Sequence, residues 1–259
     1  MRLHLFEWED QPWFPGFLRT AMTRYLAAAY GITPFPKSWA NCLSKLMSRD
    51  ATTDIVDLGS GSGGPIARVV KELGESGFKA SVTLTDLYPN VSWFESVADL
   101  GSSIRYWPKP VDAARVPDAL PGIRTMFASF HHFRPRAARG ILRDAFEQRR
   151  PICIFEGTSR TPAAIASALL IPLLVLLLTP LVRPWSWVQI LFTYLVPILP
   201  LLIFWDGLVS QLRTYSVQEL GEFTRDLQSE AYHWETGLIQ IPRMPAGVPY
   251  LIGRPEWLR

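Results

Sequence analysis

The chain has 259 residues, 48% of them hydrophobic, enough for a sizeable core: one large α/β domain, or such a domain with additions. A formal net charge of +3 is too small to argue for nucleic acid as a partner. The two cysteines, Cys42 and Cys153, read as buried thiols, not as a disulfide or metal ligands. Mean hydropathy is +0.11, and the excess is concentrated in one block. Met1–Asp10 carries Arg2, Glu7, Glu9 and Asp10, so no secretory leader is expected. The first stretch reads as helix: Phe14, Phe17, Leu18, Met22, Tyr25 and Leu26 recur at three- and four-residue steps until Pro34-Phe35-Pro36 breaks the pattern. A second helix follows over about Ser38–Met47. Strand and helix then alternate: Thr53–Leu58 (strand), Pro65–Ser76 (helix), Ala80–Thr85 (strand), Val91–Leu100 (short helix), Ser103–Trp107 and Arg124–Phe130 (strands), Pro135–Arg149 (helix) and Ile152–Glu156 (strand). This alternation predicts a mostly parallel sheet wrapped by helices, with a ligand beyond the carboxyl ends of its strands.

The character changes after Thr161. Ala163–Val182 is twenty residues without a charge and Trp185–Trp205 is twenty-one more, separated by Arg183-Pro184. Twenty helical residues rise about 30 Å, the thickness of a bilayer's hydrocarbon core. A pair of buried helices in a soluble protein would normally keep a polar stripe, and neither run has one. A membrane-inserted helical hairpin is expected, kinked or shortened by Pro172, Pro180, Pro197 and Pro200, and either spanning or only dipping in. Trp185, Trp187 and Trp205 mark its interfacial ends. Both ends return to the same side, so the catalytic part stays in one compartment, expected to be the cytoplasm. Beyond Asp206, Ser216–Leu227 reads as a helix capped by Ser216 and Glu219, and Trp234–Ile241 and Tyr250–Gly253 as a final strand pair.

Four short motifs carry the chemistry. Asp57-Leu58-Gly59-Ser60-Gly61-Ser62-Gly63 ends the first strand in a bare glycine turn on which a ligand can lie. Asp86 ends the second strand, where an acid accepts hydrogen bonds from ribose hydroxyls. Asp112 follows the third strand, and Ser129-Phe130-His131-His132-Phe133 closes the fourth. A dinucleotide would also suit the glycine turn. The long helical segment before the first strand and the third acid argue against it.

In that order the motifs resemble class I S-adenosylmethionine-dependent methyltransferases, over about residues 50–158 and the final strand pair. The resemblance implies a Rossmann-like, mostly parallel seven-stranded sheet with flanking helices, here with an N-terminal helical extension and the inserted hairpin. It divides the chain into an N-terminal helical lid (1–49), a cofactor-binding core (50–160), the hairpin (161–206) and a C-terminal helix with the final strand pair (207–259). It implies S-adenosyl-L-methionine as cofactor, with Gly59, Gly61 and Gly63 against it and Asp57 helping to hold the methionine ammonium. Asp86 with Leu87 would clasp the ribose, and Asp112 with Ala113 the adenine. Ser129 and Phe130 complete the set.

His131 is a candidate general base, since histidine titrates near working pH, although one histidine of such a pair could equally shape the pocket. His132 and Glu156 are further candidates at the catalytic rim. Adjacent residues of a strand face opposite ways, which argues against a metal shared by the two histidines, and no metal is expected. Trp8, Trp13 and Phe14 could form part of a lid over the pocket, rest on lipid headgroups or pack as core. Arg213 and Tyr215, just past the hairpin, could meet a substrate emerging from the bilayer or stabilise the chain's return. The expectation is a membrane-associated methyltransferase acting on a lipophilic small molecule or peptide, first of all at oxygen. Two rivals are the same fold acting on a soluble acceptor with the hairpin as a mere anchor, and a non-catalytic cofactor-binding membrane protein.

Overall fold

The computed structural model describes residues 2–48, 53–61, 63–89 and 103–256. Helix α1 (Gly16–Ile32) ends at Thr33, and α2 (Phe35–Met47) starts at once with Pro36 in its first turn. The proline expected to break the helical pattern therefore opens the second helix, because a first-turn residue has no N–H that needs a partner. The core follows as β1 (Asp54–Leu58), α3 (Ile66–Glu75), β2 (Ser81–Thr85), β3 (Ile104–Tyr106), β4 (Ile123–Phe127), α4 (Pro135–Glu147) and β5 (Ile152–Phe155). The helix expected over Val91–Leu100 lies outside the described residues. The last strands, β6 (Tyr232–Ile239) and β7 (Val248–Pro255), complete a seven-stranded sheet of order β3-β2-β1-β4-β5-β7-β6. β1 pairs in parallel with β2 and β4, whereas β7 runs antiparallel to both β5 and β6. The order reverses between β1 and β4, which is where an open α/β sheet forms a ligand crevice at its carboxyl edge.

Alternation along the strands feeds two cores. Ile55, Val82, Leu84, Phe127 and Phe155 pack against Trp39, Leu43, Ile66, Val69 and Leu73 of α2 and α3. Val56, Leu58, Met126 and Ile154 point the other way, onto Ala138, Ile141 and Leu142 of α4 and Leu220 of α8 (Val217–Thr224). The start of α8 is a capping box in which Ser216 accepts from the Glu219 N–H and Glu219 accepts from the Ser216 N–H. Buried Arg124 ties β4 to α4 through Asp144 Oδ2 (2.9 Å) and Gln148 Oε1 (2.7 Å).

A third core lies beyond the carboxyl edge of the sheet. Phe14, Leu18, Met22 and Tyr25 meet Val175, Leu199 and Ile203 from the apolar block. That block folds as α5 (Pro162–Leu181), α6 (Trp187–Leu195) and α7 (Leu199–Arg213). α5 has 20 residues at mean hydropathy 2.5, long and apolar enough to cross a membrane, and only 22% of its most apolar stretch is buried. The second run is not one straight helix: α6 and α7 meet at 88°, with Pro197 at the break. α7 continues past the apolar run and buries Asp206, Gln211 and Arg213.

Candidate active site

β1 brings Asp57 to the carboxyl edge of the sheet and then reverses through glycines. Gly59, Gly61, Gly63 and Gly64 have φ of 62°, 52°, 75° and 40°. An L side chain adopts such backbone at a cost of about 1–2 kcal/mol. Among the described residues a Cβ on Gly61 would meet nothing within 4 Å, and one on Gly59 only Met126 Cε at 3.9 Å, which leaves room for a ligand beside the main chain. Ser60 Oγ and Thr85 Oγ1 both donate to the Asp57 carbonyl, at 2.9 and 2.8 Å, and fix the turn. The Asp57 carboxylate is buried and accepts from Thr125 Oγ1 at 2.8 Å. Burial raises it to about 7; hydrogen bonds from Ser60 and Thr125 oppose the rise and the Asp86 charge adds to it.

Asp86 stands across the crevice, accepting from the Gly61 N–H at 2.8 Å and the Tyr88 N–H at 2.8 Å. Its carbonyl takes the Val111 N–H (2.9 Å), which sets Asp112 beside it, and Asp112 caps the next turn through the Ala114 N–H (2.9 Å). The sheet thus gathers Asp57, Asp86 and Asp112 along one rim with the glycine turn. Leu87 is half exposed there, while Ala113 is buried in the core. Phe130 is core as well, packed on Tyr215 with centroids 5.7 Å apart. Ser129 Oγ is enclosed without a partner among the described residues.

The histidines differ from the sequence expectation. Ala128 takes φ 49°, β4 ends, and Phe130–His132 form a 3-10 turn. The rings of His131 and His132 therefore lie on the same side, with centroids 4.4 Å apart and 31° between planes, and the alternation argument against a shared ligand does not hold. The turn fits because Gly157 comes close: a Cβ on it would stand 3.2 Å from Ala128 Cβ and 2.6 Å from the Tyr30 hydroxyl. His131 Nδ1 is 2.7 Å from Glu156 Oε2, and both side chains are buried. A carboxylate in this position accepts from Nδ1–H, which turns Nε2 away from Glu156; among the described residues no protein group meets Nε2.

His131 and His132 border a cavity of ≈ 240 Å³ walled by α1, α5, α7 and the N-terminal segment. Its apolar lining includes Met22, Tyr25, Ile171 and Ile203, and its acidic lining is Glu7, Glu9 and Asp206; among the described residues neither Lys nor Arg lines it. The N-terminal segment is strapped over it. Trp8 and Glu9 N–H groups donate to Asp206 at 2.8 and 3.1 Å, Leu5 accepts from Arg213 Nε at 2.7 Å, and Arg2 donates to the His131 carbonyl at 2.8 Å. Arg213 also pairs with Asp10 (2.7 Å) and Glu7 Oε1 (3.2 Å). Burial and the Asp206 charge raise Glu9 to about 7. Lost hydration works against the charge on His132, but Glu7 and Asp10 outweigh it and raise the imidazole to about 9.

Of the residues singled out for substrate, none lines this cavity. Phe14 belongs to the third core, Trp8 packs edge-on to Trp13 (centroids 5.9 Å), and Trp13 is exposed. Arg213 is a buried ion-pair partner, and Tyr215 donates to the Phe133 carbonyl at 2.7 Å beneath the Arg2 guanidinium. Sequence reasoning passed over Glu7, Glu9 and Asp206 as cavity residues. The signal available was three acids among aromatics at Glu7–Asp10 and a lone acid ending a long apolar run.

No family model and no curated protein matches the chain. Solved structures do. An O-methyltransferase of neocarzinostatin biosynthesis, crystallised with S-adenosylmethionine and 2-hydroxy-5-methyl naphthoic acid, is 16% identical with a TM-score of 0.50. The match covers 93% of this chain and 58% of that enzyme, so the chain spans little more than half its length. The methyltransferase domain of bacterial CtHen1 (12% identity, TM-score 0.48, 84% of this chain and 96% of that one) is also similar. So is an O-methyltransferase family protein of Burkholderia thailandensis (17%, 0.47, 83% and 54%). The seven-stranded sheet with its flanking helices is that of a Rossmann-like methyltransferase fold.

Proposed function

We propose that the chain is a membrane-associated S-adenosylmethionine-dependent methyltransferase that methylates a lipophilic acceptor at oxygen. The observation that carries this reading is the glycine turn with Asp86 across it: among the described residues no side chain fills the space beside Gly61, and the Asp86 carboxylate meets its N–H. The turn and Asp86 would hold the sugar and amino-acid portions of the cofactor, Asp57 its ammonium and Asp112 its base. Bound there, the cofactor supplies a methyl group on a cationic sulfur; the acceptor's lone pair forms the new bond to that carbon while the carbon–sulfur pair stays on sulfur. The protein contributes alignment and exclusion of water.

The cavity beside His131 is the acceptor site. Ile171 and Ile203 come from the apolar helices α5 and α7, so the hairpin supplies part of the acceptor's wall as well as an apolar surface for the bilayer. An oxygen acceptor sheds its proton at the rim that His131 and Glu156 form. The catalytic part sits on the cytoplasmic face, with both ends of the hairpin on that side. Calorimetric titration with S-adenosylhomocysteine tests the pocket. Asp86→Ala is expected to weaken binding at least ~10-fold, the equivalent of about 1.4 kcal/mol. Unchanged affinity would overturn the assignment. Labelled methyl transfer into membrane extract, read by mass spectrometry, then identifies the acceptor.

A further inference from the structure

The two histidines and Glu7 make up more than a basic rim. One ligand-type atom from each of Glu7, His131 and His132 lies within 4.8 Å of the other two. Ligand atoms about 2.1 Å from one ion stand roughly 3.0–3.4 Å apart at adjacent positions, so the three atoms need to close by at most about 1.8 Å, within reach of side-chain rotation. Each of the three is also held from behind. Glu156 fixes His131 Nδ1 at 2.7 Å, Asp10 Oδ1 takes His132 Nδ1 at 3.0 Å, and Ser210 Oγ donates to Glu7 Oε1 at 3.1 Å. Partners of this kind orient metal ligands and raise their basicity. The independent observation is His131 Nε2, a ring nitrogen on a side chain only 3% exposed that meets no protein group among the described residues. A buried polar nitrogen left unmet in this way disfavours the fold, and a cation would satisfy it.

We propose that Glu7, His131 and His132 bind one divalent transition-metal ion at the mouth of the acceptor cavity. Two imidazoles and one carboxylate select first-row ions such as Mn, Fe, Co or Zn and leave coordination positions open. The charge around the site suits a cation. Glu9 and Asp206 also face the cavity; Arg213 engages Glu7 through Oε1 and lies 3.4 Å from His132 Nδ1, so Glu7 Oε2 and His132 Nε2 are the atoms left to meet an ion. Resting on the methyltransferase reading, the ion's role is to take the acceptor's hydroxyl oxygen as a further ligand. The hydroxyl becomes more acidic, and its proton passes to water. His131 then acts by holding the ion, aimed by Glu156 as a positioning residue.

The test is titration of Co2+ into the chelator-treated full-length protein in detergent, followed by calorimetry and by the visible absorption of the bound ion. One equivalent is expected to bind, with a spectrum that changes in His131→Gln. Glu7→Gln is expected to weaken binding at least ~10-fold, and Glu156→Gln, which leaves all three ligands, by ~10- to 100-fold. Should Glu7→Gln fail to fold, His132→Gln on the half-exposed histidine serves in its place. Absence of stoichiometric binding, or equal binding by all these variants, overturns the site. Asp86→Ala separates this proposal from the cofactor assignment: it is expected to lose S-adenosylhomocysteine while binding Co2+ unchanged.

Discussion

Asp57 illustrates what one residue contributes. Its carboxyl is buried against Thr125 and raised to about 7, against about 3.9 in an unfolded chain. A folded-state value above the unfolded one means that the native protein holds the proton more tightly. Its contribution to stability is therefore complete below about pH 4 and falls away as pH rises towards 7. In the cofactor-free protein, Asp57→Asn is expected to raise the melting temperature at pH 8 and leave it nearly unchanged at pH 4. The same variant should bind S-adenosylhomocysteine more weakly, because the ammonium loses its counter-charge. Thermal unfolding at the two pH values, with calorimetry at pH 8, checks both. Asp57 and the glycines were readable from the chain because the turn is local: an acid and alternate glycines within a few residues decide its shape. His131 and His132 were misread as strand residues because the positive φ of Ala128 depends on Gly157 and Tyr30, which are remote in sequence.

At the level of elements, β4 and α4 are joined by Arg124, which is 1% exposed and bonded to Asp144 and Gln148. Removing one member of a buried pair strands the other, so Arg124→Ala is expected to destabilise by about 3–5 kcal/mol. Arg124→Met, which fills the same volume, combined with Asp144→Leu should recover most of that loss. Urea unfolding of the single and double variants measures the difference. The bent pair α6–α7 follows from its own prolines, and that kink was foreseeable. The continuation of α7 to Arg213 was not evident, because its buried polar end is matched by groups from the N-terminal segment: Asp206 meets Trp8 198 positions away.

For the whole molecule, the question is where α5 to α7 sit. Leu169, Leu173 and Leu177 are 71%, 54% and 62% exposed on α5, an apolar face that a bilayer would cover. Replacing all three with Glu is expected to abolish flotation with phospholipid vesicles while leaving affinity for S-adenosylhomocysteine unchanged. Flotation equal to that of the unmodified chain would remove the membrane assignment. Loss of cofactor binding would instead mean that α5 supports the fold.

The alternating strands, the glycine turn, the three acids at strand ends and the long charge-free block could all be read from the linear chain. Each is decided by neighbours a few residues apart: pleat, helical rise, backbone freedom and the absence of charge. The cavity and its lining acids could not. Glu7, His131, Glu156 and Asp206 lie far apart along the chain, and only packing of the N-terminal strap across α7 and the ends of β4 and β5 brings them to one place. Their distances, and hence the chemistry they support, depend on long-range contacts that no local pattern encodes.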